Sequence, residues 1–345
     1  MPNQTSNLPT FQPSNLPTFQ PSDQLFDEPF LRKLERLAIL SRRAMAGQLQ
    51  GERRSPKRGQ SVEFADFRPY APGDDFRRID WNAYARLERF FIKLFIEEED
   101  LTVHLLVDTS RSMDWGQPNK LWYAIRAAGA LGYVALAGLD RVTVTALGME
   151  DWKHGNMGYF PPRRGKGQAI ALFTFLQSLM PIDNLSAAQT SSYPTFQPSN
   201  SPSIQLRAYA AAATQPGPLI VLSDLFDSTP QPSNLPAPQS SGWVDGLRAL
   251  AWRGFEVTVL HILAPDEVDP KLSGDLKLLD VETGAEVEIT ADYDLLQRYR
   301  DGLASWQEEL RRFCGARGMH YVPVETSLPF EELLFALLRR RGVLK

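Results

Sequence analysis

Cysteine is almost missing from this chain. Cys314 is the single one among 345 residues, so no intrachain disulfide can form and no cysteine cluster can hold zinc. A lone cysteine of this kind reads as a small buried apolar residue. Long apolar runs are missing too. Spanning a membrane takes about 18–20 apolar residues, and the nearest approach, LWYAIRAAGALGYVALAGL, carries Arg126 and several glycines. It reads as a buried helix, so no membrane span is expected. With no disulfide framework and no secretory signal, the expected location is cytoplasmic. Only four histidines are present, and His104, His154, His261 and His320 have no zinc-like spacing. His104 and His261 fall inside apolar runs and are expected to pack there. There is no G-x-S-x-G nucleophile elbow. RRGKGQ at 163–168 fails the G-x-x-x-x-G-K-[ST] phosphate-loop pattern at several positions.

A strong excess of one sign of charge is also missing. A net charge of −4 gives no general attraction to nucleic acid. The balance is uneven, because residues 31–93 hold 15 Lys and Arg against 8 Asp and Glu. A basic N-terminal region of this kind reads more often as solvated or internally paired surface than as a nucleic-acid site. Asp74, Asp75 and Asp80 stand among Arg68, Arg77, Arg78 and Arg86, which predicts ion pairing within the segment. Trp81, Tyr84 and Phe90 are then expected to pack it against the rest of the protein.

What the chain does have is repetition. SNLPTFQP occurs in tandem at 6–13 and 14–21, and relatives of it return at 192–203 and 229–241. These Pro-, Ser-, Asn- and Gln-rich stretches carry too little apolar surface to offset their ordering entropy. The expected organisation is a disordered tail over 1–26, an N-terminal extension over 27–97 packed on the core, and a domain over 98–345 with Pro-rich insertions near 186–203 and 229–241. Within the extension a helix is predicted over 27–46, with Asp23 or Asp27 as its cap. Beyond it, short apolar runs alternate with helical patterns. LTVHLLVD, RVTVTAL, LIVLSD, FEVTVLHIL and MHYVPV read as strands. Residues 120–138, 167–180, 242–253, 292–314 and 328–341 read as helices, and DLKLLDVETGAEVEIT as a hairpin. This alternation predicts an α/β fold with a mostly parallel open sheet flanked by helices.

In open sheets of this type, ligands bind beyond the carboxyl ends of the strands. Two carboxylates fall there: Asp108 closing LLVD and Asp224 closing VLSD. Asp108 is followed at two-residue steps by Ser110 and Ser112, so all three can face one point. One or two carboxylates with neutral hydroxyls suit magnesium, which keeps several waters and needs few protein ligands. Asp224 would bind the ion directly or hold one of its waters. The vacant position would accept a carboxylate from a partner protein. Asp108 and Ser112 are expected at the surface edge of the domain. The competing local reading is that Asp108 and Ser110 only tie down a turn or cap the following helix.

VHLLVDTSRSM, DRVTV and LIVLSD resemble the von Willebrand factor type A domain and its metal-ion-dependent adhesion site. With SVEFADFRPYAPGDDFRRIDWNAYAR upstream, PPRRGKGQ in the middle, and VLHILAPDEV and DVETG downstream, the chain resembles bacterial domain-of-unknown-function family fifty-eight over roughly residues 30–345. That resemblance implies a non-catalytic protein-interaction module that binds Mg2+ through Asp108, Ser110, Ser112 and Asp224. It also implies a partnership with a MoxR-type AAA+ ATPase in protein maturation or assembly. The adhesion-site pattern also takes a threonine from a later loop. PPRRGKGQ, residues 161–168, stands as that loop and has none, so water or another residue replaces it or the metal site is weak or absent. The alternative activity is a metal-dependent hydrolase using Asp108 and Asp224. No neighbouring general base is evident for it.

Overall fold

The computed structural model describes residues 25–40, 62–72, 74, 76, 79–97, 101–148, 158–180, 202–226, 241–279 and 286–345. The tandem repeats, most of both Pro-rich insertions and the stretch 41–46 of the first predicted helix lie outside them.

Six strands form the central sheet: β3 (Thr102–Asp108), β4 (Arg141–Leu147), β5 (Tyr159–Arg164), β6 (Pro218–Ser223), β7 (Glu256–Leu263) and β10 (His320–Glu325). Their order is β10-β7-β6-β3-β4-β5. All neighbours are parallel except β5, which runs antiparallel on the edge. The expected α/β fold with a mostly parallel sheet is therefore what forms. β3 is buried at every position, as a central parallel strand covered on both faces must be.

Two helical layers cover the sheet. One contains α1 (Glu28–Leu34), α3 (Lys120–Ala137) and α4 (Ala169–Gln177). It also contains the C-terminal segment made of α9 (Phe330–Glu332), a π-helical turn (Leu333–Leu337) and α10 (Leu338–Arg340). The other contains α5 (Pro202–Ala212), α6 (Ser241–Trp252) and α8 (Tyr293–Gly315). The period-two geometry of strands divides the core between the layers. Leu105 and Val107 face the first, and Leu106 faces the second. On α8 the buried residues Trp306, Leu310 and Cys314 recur every four positions, which is one helix face. Burial pushes the Cys314 thiol up to about 11, so it is an apolar filler as expected.

Several elements differ from the sequence reading. The first helix ends at Leu34, and Ile39 instead bridges Leu344 near the C-terminus. Asp27 caps that helix by accepting the Phe30 amide hydrogen. Leu25 and Phe26, assigned above to the tail, are buried. Phe26 stacks on Phe30 at 5.2 Å and on Phe330 at 6.0 Å, and Arg126, the residue that interrupts the apolar run, lies over the Phe330 ring. The irregular segment holds regular structure: β1 (Val62–Pro69) pairs antiparallel with β2 (Phe91–Glu97), and α2 (Trp81–Leu87) precedes β2. Arg68 grips Asp74 with both guanidinium nitrogens, at 2.8 and 2.6 Å, while Asp80 caps α2. Asp75, Arg77 and Arg78 lie outside the described residues. Trp81, Tyr84 and Phe90 pack on each other, with Tyr84 and Phe90 stacked at 4.4 Å, and all three keep exposed surface. The remaining pair of strands, β8 (Gly274–Leu279) and β9 (Glu286–Ala291), is the expected hairpin, and a short α7 (Pro265–Val268) follows β7.

The burial of α1 makes a direct prediction. Phe30→Ala should cost about 3–5 kcal/mol of stability, the range for emptying an aromatic core site. Urea denaturation measures it, and a loss below about 1 kcal/mol would show that α1 is not part of the core.

Candidate functional site

The sheet order places a topological switch point between β3 and β6. The chain leaves β3 toward β4 on one side and later returns to β6 on the other. Crevices at such points, beyond the carboxyl ends of the strands, are where open α/β sheets bind ligands. Asp108 ends β3 and Asp224 directly follows β6, so the two predicted carboxylates flank this crevice.

Each carboxylate is locked by a local turn. Asp108 Oδ1 accepts from the Ser110 amide at 2.9 Å, and Asp224 Oδ1 accepts from the Phe226 amide at 3.0 Å. These i to i+2 bonds are the turn that aspartate favours. The two strand ends are then joined, because the Ser223 hydroxyl donates to Asp108 Oδ2 at 2.5 Å and accepts from the Leu225 amide at 2.8 Å. Leu225 sits at φ 59, a left-handed conformation that costs a bulky residue about 1–3 kcal/mol and concentrates at functional sites. The neighbouring loop closes tightly on β4. Thr109 bonds the Leu147 carbonyl through both its amide and its hydroxyl. A side chain at Gly148, which has φ +91, would come within 3.1 Å of the Ser110 nitrogen.

Ser110 and Ser112 are half-buried, and their hydroxyl oxygens lie 3.1 Å apart. Two adjacent ligands of an octahedral magnesium, each about 2.1 Å from the ion, are separated by about 3.0 Å. Asp108 is bonded only by neutral donors, and a carboxylate oxygen has more than one lone pair to offer. The spacing of the two serine hydroxyls therefore fits two adjacent positions of a hydrated magnesium, next to a carboxylate held by neutral donors. Asp224 does not fit the same way, because its Oδ2 accepts from the Lys120 ammonium at 2.8 Å. Among the described residues, no three His, Cys, Asp or Glu side chains converge in a metal-holding group.

The same ammonium also donates to Glu267 Oε1 at 2.5 Å, and Glu267 Oε2 accepts from the Ala264 amide. Asp108, Lys120, Ser223, Asp224 and His261 have no accessible surface at all. This corrects the expectation for Asp108, which is fully buried, whereas Ser112, like Ser110, keeps partial exposure. Burial, and then the negative charge of Asp224, raise the Asp108 carboxyl well above its usual range. The hydrogen bonds from Ser223 and Ser110 oppose that shift. His261 completes the base of the site. The Asp224 carbonyl can only accept, so His261 Nε2 donates to it at 2.9 Å, and Nδ1 accepts from the Tyr321 hydroxyl at 2.6 Å. Burial pushes His261 down to about 3, and His104, bonded to Tyr209, down to about 4. Both stay neutral, in keeping with core packing.

The loop PPRRGKGQ is not near this crevice. Because β5 is antiparallel, Arg164 pairs with Arg141 at the opposite end of β4 from Leu147, which lies beside Asp108. Lys166 pairs with Glu35, and Arg164 donates to the Leu139 carbonyl. The element that does approach is α5: Gln205 accepts from the Gly148 amide at 2.7 Å, and Ser203 in its first turn is buried. Sequence reasoning missed Lys120, Glu267, His261 and this turn. One signal was legible. Lys120 is the first residue of α3, where the helix dipole disfavours a cation, so its place there calls for anionic partners.

Residues 66–309 match the family described as "Protein of unknown function DUF58". The uncharacterized proteins Rv1480 of Mycobacterium tuberculosis and Mb1516 of Mycobacterium bovis are each 26% identical over 323 residues, covering 92% of both chains. Among solved structures, an aerotolerance-related membrane protein from Bacteroides fragilis is 15% identical, covers 70% of this chain and 99% of its own, and has a TM-score of 0.36. The conserved hypothetical protein BatB from Bacteroides thetaiotaomicron is 16% identical, covers 70% and 98%, and has a TM-score of 0.34. No helix among the described residues is long and apolar enough to cross a membrane.

The two buried histidines set a pH dependence. Their folded-state affinities for protons lie below the ordinary value near 6.5, so between about pH 4 and 6.5 the unfolded chain binds more protons. Stability should therefore fall as pH drops through this window, by up to about 1.4 kcal/mol per pH unit for each histidine. Asp108 acts with the opposite sign, since its raised affinity favours the folded state at low pH and loses that effect as pH rises. Urea titrations from pH 7.5 to 4.5 on the wild type and on His104→Gln and His261→Gln separate the two, and each substitution should flatten the acid slope. Unchanged slopes in both variants would contradict the assignment.

Proposed function

This chain belongs to the DUF58 family, whose function is unknown, and from that membership we propose that it is a non-catalytic protein-interaction module. Its docking face is the crevice between β3 and β6, in the manner of a von Willebrand factor A-like adhesion site. Magnesium supplies a Lewis-acidic centre there that can receive a carboxylate from another protein. Asp108, Ser110 and Ser112 would hold it. Ser110 and Ser112 present the opening, and the exposed Arg111 and Trp115 beside them are residue types that recur at energetic centres of interfaces. The partner in this reading is a MoxR-type AAA+ ATPase in the cytoplasm, and the work is maturation or assembly of other proteins.

The observation that carries the reading is the 3.1 Å pair of serine hydroxyls beside a buried carboxylate at the switch point. The strand order, with an antiparallel edge strand after the second parallel strand, supports the likeness to the adhesion domain. A hydrolase would need a group to activate water. Lys120 is held in two ion pairs and both ring nitrogens of His261 are engaged, so neither serves as that base.

Capture of a MoxR-type ATPase, measured with magnesium and with chelator, tests this. Because Asp108 is buried, Asp108→Asn is the informative change, since it removes the charge and keeps the shape. It should weaken capture by about tenfold or more, a difference of about 1.4 kcal/mol, and match the wild type in chelator. Ser112→Ala should weaken it less, since water can replace a neutral oxygen. Equal capture in chelator would remove the metal from the mechanism. Intact capture by Asp108→Asn would remove the face.

A further inference from the structure

We propose that Lys120 is a specificity-determining residue of this face: its ammonium is a built-in cation that claims Asp224, so that a divalent ion is received by Asp108, Ser110 and Ser112 alone. The proposal rests on the docking reading above and assigns the two predicted carboxylates different roles.

The argument begins with where the lysine sits. It opens α3, at the end where the helix dipole repels positive charge, and it has no accessible surface. A buried ammonium persists only where it is paired and hydrogen-bonded. Here it reaches Asp224 Oδ2 and Glu267 Oε1, and it lies 5.5 Å from the centre of the Phe226 ring. The other oxygen of each carboxylate is also engaged, by the Phe226 and Ala264 amides. Asp224 could ligate a metal directly only by giving up a charge-assisted bond in a fully buried position, and the metal would then face the ammonium at short range. Asp108 has no such competitor, since Ser110 and Ser223 are neutral donors.

The lysine is also held in place from three directions. Asn119 caps α3, the Gly116 loop passes so close to Ala264 that an added side-chain carbon would stand 2.4 Å from it, and the Tyr299 hydroxyl ties down the Glu267 carbonyl. The one ammonium is set against three carboxylates. It neutralises part of the charge at the Asp224 side and leaves Asp108 as the anionic end that an added cation can satisfy. A site with one available carboxylate holds magnesium weakly and leaves most positions to water and to the visiting partner.

Calorimetric titration of the full chain with Mg2+ decides the matter, using the wild type, Lys120→Met, Lys120→Gln and the double variant Lys120→Met/Asp224→Asn, each checked for its fold by circular dichroism. Freed Asp224 should become a ligand, so Lys120→Met should bind Mg2+ at least about tenfold more tightly, and the double variant should lose that gain. Lys120→Gln, which keeps a donor but not the charge, gives the same comparison if Lys120→Met does not fold. Unchanged or weaker binding in the folded lysine variants would overturn the proposal, as would a gain that persists in the double variant. If the wild type binds no Mg2+, the metal reading above fails on its own. A lysine variant that then acquires binding would show that the ammonium blocks Asp224, but the assignment of a wild-type ion to Asp108, Ser110 and Ser112 would fall.

Discussion

A single ammonium, Lys120, lies between a carboxylate at the end of β6 and another on α7, the short helix after β7. It begins the helix that covers β3, so three segments far apart in sequence meet at one charge. It has no accessible surface. Taking two charges out of water costs several kcal/mol per ion, and removing one partner of a buried pair typically destabilises by about 3–5 kcal/mol. The pair therefore contributes little net stability over an apolar substitute. What it does is define one arrangement of strand ends. Any shift of β6 relative to α3 leaves a buried charge without its partner.

The crevice inherits its form from that constraint. With Asp224 held by Lys120 and its carbonyl held by neutral His261, the β6 turn is fixed, including the strained Leu225. Ser223 then reaches across to Asp108 and fixes the β3 end. Asp108 in turn sets the Ser110 amide, and the turn brings Ser110 and Ser112 side by side at the surface. The chain of bonds runs from a buried cation to a half-buried pair of hydroxyls. The same order separates Asp224, paired with a buried ammonium, from Asp108, which is bonded by neutral donors.

Part of this was legible in the sequence. Fully apolar runs ending in Asp gave the parallel strands and their carboxyl ends, because a strand covered on both faces has no polar alternation and stops where polarity returns. Asp-x-Ser-x-Ser located the half-buried hydroxyls. Three things could not be read. The direction of β5 depends on pairing with β4, and a local pattern carries no strand direction, so PPRRGKGQ was placed at the wrong end of the sheet. The hairpin of β1 and β2 is interrupted by α2, and its aromatic and charged residues mimic an irregular loop. The Lys120 pairs span 104 and 147 residues of sequence, and no spacing rule connects them. Only the misfit of a lysine at the start of an apolar helix hinted at a partner.

The division of labour between the two aspartates can be seen directly. Crystals soaked in Mn2+ would reveal the ion by its anomalous scattering. The account predicts one peak about 2.1 Å from Asp108 and from the Ser110 and Ser112 hydroxyl oxygens, in the octahedral oxygen geometry such cations take, with Lys120 still bonded to Asp224. A peak ligated by Asp224 with the lysine displaced, or no peak at these three residues in an accessible crevice, would contradict it.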